Sequence, residues 1–360
     1  MKQEIRFCTA ADGVRLAWAT AGEGPPLVKT ANYLTHLEHD WESPVWEHWL
    51  GELARHHTLV RYDERGSGLS DWQVDDFSMD GWVRDLEAVV DAAGLDRFAL
   101  LGLSQGAAVG VAYAARHPER VTHLVLYGGY ARGRLRRDPS PEERLEAETM
   151  INVIRVGWGR DNPAFRRLFG TLLMPGGSEE QKRWLDRLAR VSTTPENAAA
   201  MERAFYAIDV GEAARAVTSP TLVVHARDDA AVPFAAGREL AALVPGSRFV
   251  PLESRNHVLT AEEPAWGRFV AELHDFLGVV GPTAAAAAPR RAFPELTPRE
   301  AEVLDLLARG LDNQAIAGRL FVTPKTVRNY VSTLYDKLGV PSRARAIVLA
   351  REAGLGRANP

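Results

Sequence analysis

Short runs that are apolar almost throughout alternate along this chain with longer runs whose apolar residues recur every three or four positions. PLVKTA, HTLVRY, RFALLGL, VTHLVLY, PTLVVHA and SRFVPLE are of the first kind and are predicted as β-strands. Interleaved with them, PVWEHWLGELARH, SMDGWVRDLEAVVDAAG, GAAVGVAYAARHPE, AAGRELAALVP and EEPAWGRFVAELHDFLG carry the helical period. Strands that lack polar alternation are buried on both faces, so the pattern predicts an α/β fold with a mostly parallel sheet between helices.

The alternation stops between about Ala131 and Val217, where PEERLEAETMINVIRVGW, NPAFRRLFGTLLM, EEQKRWLDRLARV and ENAAAMERAFYAID are helical only. They predict a helical cap lying over the carboxyl edge of the sheet. A second break follows at GPTAAAAAPRRAFP, an alanine tract bracketed by prolines with no amphipathic period, which is linker composition. The expected division is a first domain over residues 1–279, a linker over 280–293 and a second domain over 294–360.

From Leu296 to Gly354 the pattern predicts four short helices with sharp stops. Thr297 caps the first, with Pro298 at its first position and Glu300 placed to complete a capping box. Val303, Leu304, Leu306 and Leu307 form its buried stripe, and Gly310 ends it. DNQAIAGRLF is the second helix, VT turns the chain, and PKTVRNYVSTLYDKLG is the third, capped by Thr323. Two helices joined by so short a turn describe a helix-turn-helix.

At 360 residues the chain exceeds the size at which one core keeps growing, which agrees with two domains. Charge separates them. From Pro289 onward there are 12 Lys and Arg against 7 Asp and Glu, and before it 31 against 40. The small basic domain attracts nucleic acid and the acidic body repels it. Cys8 is the single cysteine, which excludes an intramolecular disulfide and a thiolate metal cluster, and no metal or cofactor is expected. With no apolar run of membrane-spanning length and no signal-peptide core at its start, the protein is expected to be cytoplasmic.

The chemistry centres on GLSQG, where Ser104 stands between Gly102 and Gly106 after a predicted strand and before a predicted helix. Spacing alone is weak evidence, since chance supplies it in roughly one chain in ten of this length. The context is stronger, because a serine on a sharp strand-to-helix turn leaves no room for side chains at the flanking positions. Such a nucleophile needs a base and an acid to orient it. HARDDAAVP and SRNHVLTAEEP follow two later strands and supply both. His257 is the expected base and Asp229, where the DxxVP frame begins, the expected acid, with Asp228 as its alternative.

With GLSQG, YDERGSGLSD and these Asp and His blocks in order, residues 1 to 279 resemble the α/β-hydrolase family with a helical cap. The resemblance implies a nucleophile at Ser104, an acid at Asp229, a base at His257 and oxyanion donors in the backbone N–H groups of Tyr33 and Gln105. One departure stands out: where the family has a His-Gly pair, this chain reads KTANYLTHLE. Asn32 occupies about the glycine's place, since asparagine tolerates a left-handed backbone, and it is the alternative donor to Tyr33. DERGSG reads as a structural turn, His36 as a helix cap with pocket lining as the alternative, and Trp158 and Trp184 as packing residues of the cap rather than a ligand cradle.

LTPRE, LARGLDNQAIAGRL, TPKTVRNYVSTLYDKLGV and SRARAI resemble the LuxR-type helix-turn-helix of bacterial transcription regulators over nearly the whole tail. By that resemblance the third helix enters the major groove of double-stranded DNA, with Arg328, Asn329 and Ser332 at base edges and Lys325, Thr326 and Lys337 at phosphates. Tyr330 stands where a histidine is common in the family. The last helix carries the usual dimer contact, so a homodimer is expected. Together these readings predict a regulator whose hydrolase-like domain senses, and hydrolyses or not, a small apolar acyl, ester or lactone-like ligand. The alternatives are an active serine esterase or lactonase with an autoregulatory DNA-binding tail, and a scaffold whose hydrolase domain only binds another protein.

Overall fold

A computed structural model describes residues 2–159, 170–279, 293, 296–320, 324–353 and 355. They fall into two compact units, Met1–Val270 and Ala271–Pro360. The expected linker lies outside the described residues apart from Phe293, as do Thr323, the VT turn and most of NPAFRRLFGTLLM.

The first unit is built on an eight-stranded sheet in the order β1-β2-β4-β3-β5-β6-β7-β8. Its strands are β1 (Glu4–Thr9), β2 (Arg15–Ala21), β3 (Pro26–Lys29), β4 (Thr58–Tyr62), β5 (Phe98–Leu103), β6 (Val121–Tyr127), β7 (Thr221–Ala226) and β8 (Arg248–Leu252). All six predicted strands are present, and from β4 to β8 the pairing is parallel. Every residue of β5 and of β7 is buried, as their unbroken apolar runs require.

Sequence patterning missed β1 and β2, an antiparallel hairpin at the sheet edge turned at Gly13. Its outer strand, EIRFCT, is largely exposed, so it alternates and mixes charge with apolar residues. A search for continuous apolar runs passes over such a strand.

Helices α1 (Leu37–Trp41), α2 (Glu47–His56), α3 (Met79–Ala92) and α4 (Gln105–Arg116) follow in chain order. The helical cap supplies α5 (Pro141–Gly157), α6 (Glu179–Ser192), α7 (Pro195–Ala207) and the short α8 (Gly211–Ala216). The series ends with α9 (Phe234–Leu243) and α10 (Pro264–Leu277). Ser140 and Ser178 start α5 and α6 with complete capping boxes, each satisfying two otherwise unpaired backbone donors. Trp158 and Trp184 are buried, and His36 caps α1 by accepting from His39 N–H.

The DERGSG turn, expected as a structural turn, is buried throughout. Arg65 reaches Asp85 at 2.7 Å and Asp12 at 2.9 Å, so the turn is locked by ion pairs under the protein surface. Two close carboxylates satisfy a guanidinium that could not otherwise leave water.

In the second unit α11 (Pro298–Ala308), α12 (Asn313–Leu320), α13 (Pro324–Leu338) and α14 (Arg343–Glu352) surround a core containing Val303, Leu304, Leu307, Ile316, Val327, Val331, Leu334 and Ala346. Thr297 and Glu300 form the expected capping box. Val327, Val331 and Leu334 recur at helical spacing and bury one face of α13, which turns Lys325, Arg328, Asn329 and Ser332 to solvent. Among the described residues no helix is long and apolar enough to cross a membrane.

Candidate functional site

Strand β5 ends at Leu103 and α4 begins at Gln105, so Ser104 alone makes the corner between them. It does so with φ 57° and ψ −128°, a conformation that costs a residue with a β-carbon on the order of 1–3 kcal/mol. Neighbouring structure enforces the corner. A β-carbon at Gly102 would lie 2.6 Å from the Ala107 Cα, and one at Gly106 would lie 2.3 Å from the Thr30 hydroxyl. Ser104 N–H donates to the Tyr127 carbonyl at 2.9 Å, fixing the corner against β6.

Asp229 sits in the turn after β7 and His257 in the loop after β8. Asp229 Oδ2 lies 2.7 Å from His257 Nδ1, while its Oδ1 accepts the N–H groups of Ala231 and Val232, both at 2.9 Å. Burial raises the Asp229 carboxyl, but the His257 charge and these hydrogen bonds outweigh it and hold the group below its ordinary value. An ionised carboxylate can only accept, so His257 donates from Nδ1, and in the neutral form of the ring Nε2 presents a lone pair. That Nε2 is buried without a hydrogen-bond partner. Asp228, the alternative acid, is exposed and takes no part in the pair.

Two further residues frame this pair. His225 lies with its Nε2 3.7 Å from the same Asp229 oxygen and donates to the Val232 carbonyl at 3.0 Å. Burial lowers its pKa, which keeps it neutral beside the acid. Gly128, with φ +58°, passes so close to His257 that a β-carbon would stand 3.0 Å from the ring. Neither has a local sequence signal: His225 reads as one more position of a buried strand, and Gly128 follows another.

Of the two expected oxyanion donors, one is engaged. Tyr33 N–H donates to the side-chain Oε1 of Gln105 at 3.1 Å. Asn32 does not take a left-handed backbone; the non-glycine residues with positive φ among those described are Ser104 and Asp138. Its side chain is held instead by the ammonium of Lys29, which donates to Oδ1, while its own amide reaches the Tyr33 carbonyl at 3.5 Å. The positively charged Lys29 anchors this loop where the family carries His-Gly. Burial pushes Lys29 down to about 8, with Asp40 opposing.

Ser104, His257, Tyr33 and Gln105 open onto a cavity of about 540 Å³ roofed by the cap. That volume falls in the range of small-molecule sites. The roof is more polar than an apolar ligand requires: Arg134, Arg137, Glu143, Glu202 and Tyr206 line it beside Met150, Leu172 and Phe205. A narrower apolar cleft of about 30 Å³ lies beyond Tyr33, against Trp46, Trp158 and Leu188.

In the second unit Lys325, Arg328, Asn329 and Ser332 are exposed on α13 and Thr326 is half-buried. Lys337 is engaged, its ammonium 2.7 Å from Glu300 Oε2. A phosphate meeting Lys337 would share or displace that ion pair.

The sequence profile of the alpha/beta hydrolase fold matches residues 39–264, and that of the luxR family of bacterial regulatory proteins matches residues 294–350. The chain is 27% identical over 271 residues to a pyrrolizixenacetamide deacetylase of Xenorhabdus hominickii, covering 73% of this chain and 94% of that protein. It is similar to an esterase of Rhodococcus sp. ECU1013 at 27% identity and TM-score 0.61, over 77% of this chain and 99% of the esterase. An enol-lactonase of Burkholderia xenovorans LB400 aligns at 25% identity and TM-score 0.61, over 76% of this chain and all of the lactonase (100%). With one profile spanning most of the first unit and the other most of the second, the chain belongs to the alpha/beta hydrolase fold family and carries a second domain of the luxR family of bacterial regulatory proteins.

Proposed function

We propose that the chain is a DNA-binding transcription regulator whose hydrolase domain receives, and is equipped to cleave, a small acyl, ester or lactone-like compound. The observation that carries this reading is the conjunction, in one polypeptide, of a strained serine beside a buried His-Asp pair under a capped cavity with a luxR-family domain. The domains are taken as residues 1–279 and 294–360, joined by 280–293, with two copies of the chain reading paired half-sites.

In this reading Ser104 Oγ attacks the carbonyl carbon of the bound compound as His257 Nε2 takes its proton, and Asp229 steadies the imidazolium that forms. Negative charge gathers on the carbonyl oxygen, which the N–H of Gln105 and, once it leaves the Gln105 side chain, the N–H of Tyr33 receive in this reading. His257 then returns the proton to the leaving group, and water releases the acyl group from Ser104 by the same route. On DNA, Arg328, Asn329 and Ser332 read base edges, while Lys325, Thr326 and Lys337 meet phosphates.

Ligand and DNA are linked if cap closure changes how two DNA-binding domains pair. Such coupling is typically about 1–3 kcal/mol, or roughly 5- to 150-fold in affinity. The test selects DNA sites from a random pool with the full-length protein, then titrates the best site with and without esters or lactones that protect Ser104 from a fluorophosphonate probe. A protecting compound that shifts the titration supports a ligand-responsive regulator. Protection with superimposable titrations favours the second reading, an esterase or lactonase with an autoregulatory tail, which the complete His-Asp pair also supports.

A further inference from the structure

Arg137 stands in the cap beside a short turn, Arg134–Arg136, that is pinned to α7 by Gly133 N–H on the Ile208 carbonyl and by Arg136 on the Ala207 carbonyl. It lines the same cavity as Ser104 and His257. The other charged groups of that cavity have partners. Arg134 pairs with Glu146 at 3.0 Å and lies over the Tyr206 ring, Glu143 accepts Ser140 N–H at 2.7 Å, and Tyr206 beside Glu202 opposes the burial that raises its carboxyl. Nearby Arg132 is held by Glu239.

Arg137 is different. Among the described residues no carboxylate lies within ion-pair distance of it, and its Nε is buried without a hydrogen-bond partner. Burial pushes its pKa down, yet a guanidinium stays charged at any ordinary pH. A buried donor on a cation, left unsatisfied, carries a desolvation cost that a ligand can relieve.

We propose that the compound received over Ser104 carries a free carboxylate remote from its scissile carbonyl, and that Arg137 binds it. The substrate class is then the monoesters or monoamides of dicarboxylic acids, or lactones bearing an acid group. This rests on the reading of Ser104 as a nucleophile. A carboxylate matches the planar fork of a guanidinium with two parallel hydrogen bonds. Glu143 and Glu202, in the same cavity, disfavour a doubly charged anion such as a phosphate monoester and leave room for a single negative charge.

The test uses full-length protein and p-nitrophenyl monoesters of dicarboxylic acids from glutaric to suberic, each beside the neutral p-nitrophenyl ester of equal chain length. At one or more lengths the acid-bearing ester should have a kcat/KM at least about tenfold above its neutral counterpart, mainly through KM. That ratio should fall to near one in Arg137→Gln, recover in part in Arg137→Lys and persist in Arg144→Gln, an exposed neighbour in the cap. Because the ratio is internal to each variant, a general loss of folded protein leaves it unchanged. A ratio near one at every length, or one that survives Arg137→Gln, overturns the proposal. If no ester is turned over, the nucleophile reading fails by itself, and calorimetric binding of the free dicarboxylates decides the arginine. Binding that Arg137→Gln weakens about tenfold supports the carboxylate site, and no binding, or binding indifferent to the substitution, overturns it.

Discussion

The backbone N–H of Tyr33 donates to the side-chain carbonyl of Gln105 at 3.1 Å, so the residue that follows Ser104 occupies a donor expected to serve the reaction. A carbonyl oxygen developing negative charge at Ser104 has to displace a neutral amide that already holds this site. A neutral hydrogen bond is worth a net of about 0.5–1.5 kcal/mol. Gln105→Ala should therefore speed fluorophosphonate labelling of Ser104 by about two- to tenfold. Unchanged or slower labelling would show that Tyr33 N–H is not an oxyanion donor and that Gln105 supports the turn.

Ser104→Ala should abolish probe labelling and lower ester hydrolysis by several orders of magnitude, with operator affinity unaltered. Asp229→Asn should cut the labelling rate by about 10³- to 10⁴-fold, because the wrong tautomer of His257 is then favoured. Asp228→Asn, at an exposed position, should leave the rate within about twofold. A large effect at position 228 or none at 229 would reverse the assignment of the acid.

Stability of the first unit should decline as pH rises from about 6.5 to 8, above the range in which His36, His48, His123 and His225, all lowered by burial, act in the opposite sense. Burial, with Asp85 and Asp63 adding to it, raises Glu64 to about 8, and burial raises Asp40 and Asp85 to about 6. Across this window the unfolded chain has already released protons that the folded chain retains, so deprotonation favours unfolding. Glu64→Gln removes the component that persists to the highest pH. Thermal midpoints plotted against pH should be flatter for that variant than for the native chain, and parallel curves would rule Glu64 out as the source.

Binding to selected DNA should weaken as salt rises, because Lys325 and its neighbours displace counterions from phosphates. Arg328→Ala should cost about 1–3 kcal/mol and relax base preference at one position of the site. Lys325→Ala should weaken all sequences alike and shallow the salt dependence. If Arg328→Ala behaves as Lys325→Ala is expected to, Arg328 contacts the backbone and base reading lies elsewhere on α13.

The strands carrying Ser104 and Asp229 were legible because residues buried on both faces must be apolar at every position, as β5 and β7 are. Ser104 itself was legible because close packing at Gly102 and Gly106 forbids a β-carbon. The His225 contact with Asp229, the closeness of Gly128 to His257 and the hold of Lys29 on Asn32 were not. Each joins segments distant in sequence or depends on the direction in which a side chain leaves the sheet, and no local period records either. The expectation of a small apolar ligand did not anticipate Arg137 for the same reason: a charged residue in a cap loop looks like any solvated residue until the fold brings it to the cavity.

Glu143 lines that cavity and also closes the capping box of α5, accepting Ser140 N–H at 2.7 Å. A cation that turns this carboxylate toward itself takes it from the Ser140 N–H, whereas one met by the other oxygen does not. A compound that draws the Glu143 carboxylate to an amine would loosen the first turn of α5, at a cost of about 0.5–1.5 kcal/mol for the lost hydrogen bond, with the Ser140 side-chain cap remaining. A neutral or acidic compound leaves the cap whole. Fraying of a single helical turn thus becomes a filter on the sign of the guest's charge, one that disfavours cations that take the carboxylate, through the folding equilibrium of the cap without any clash with the cavity wall.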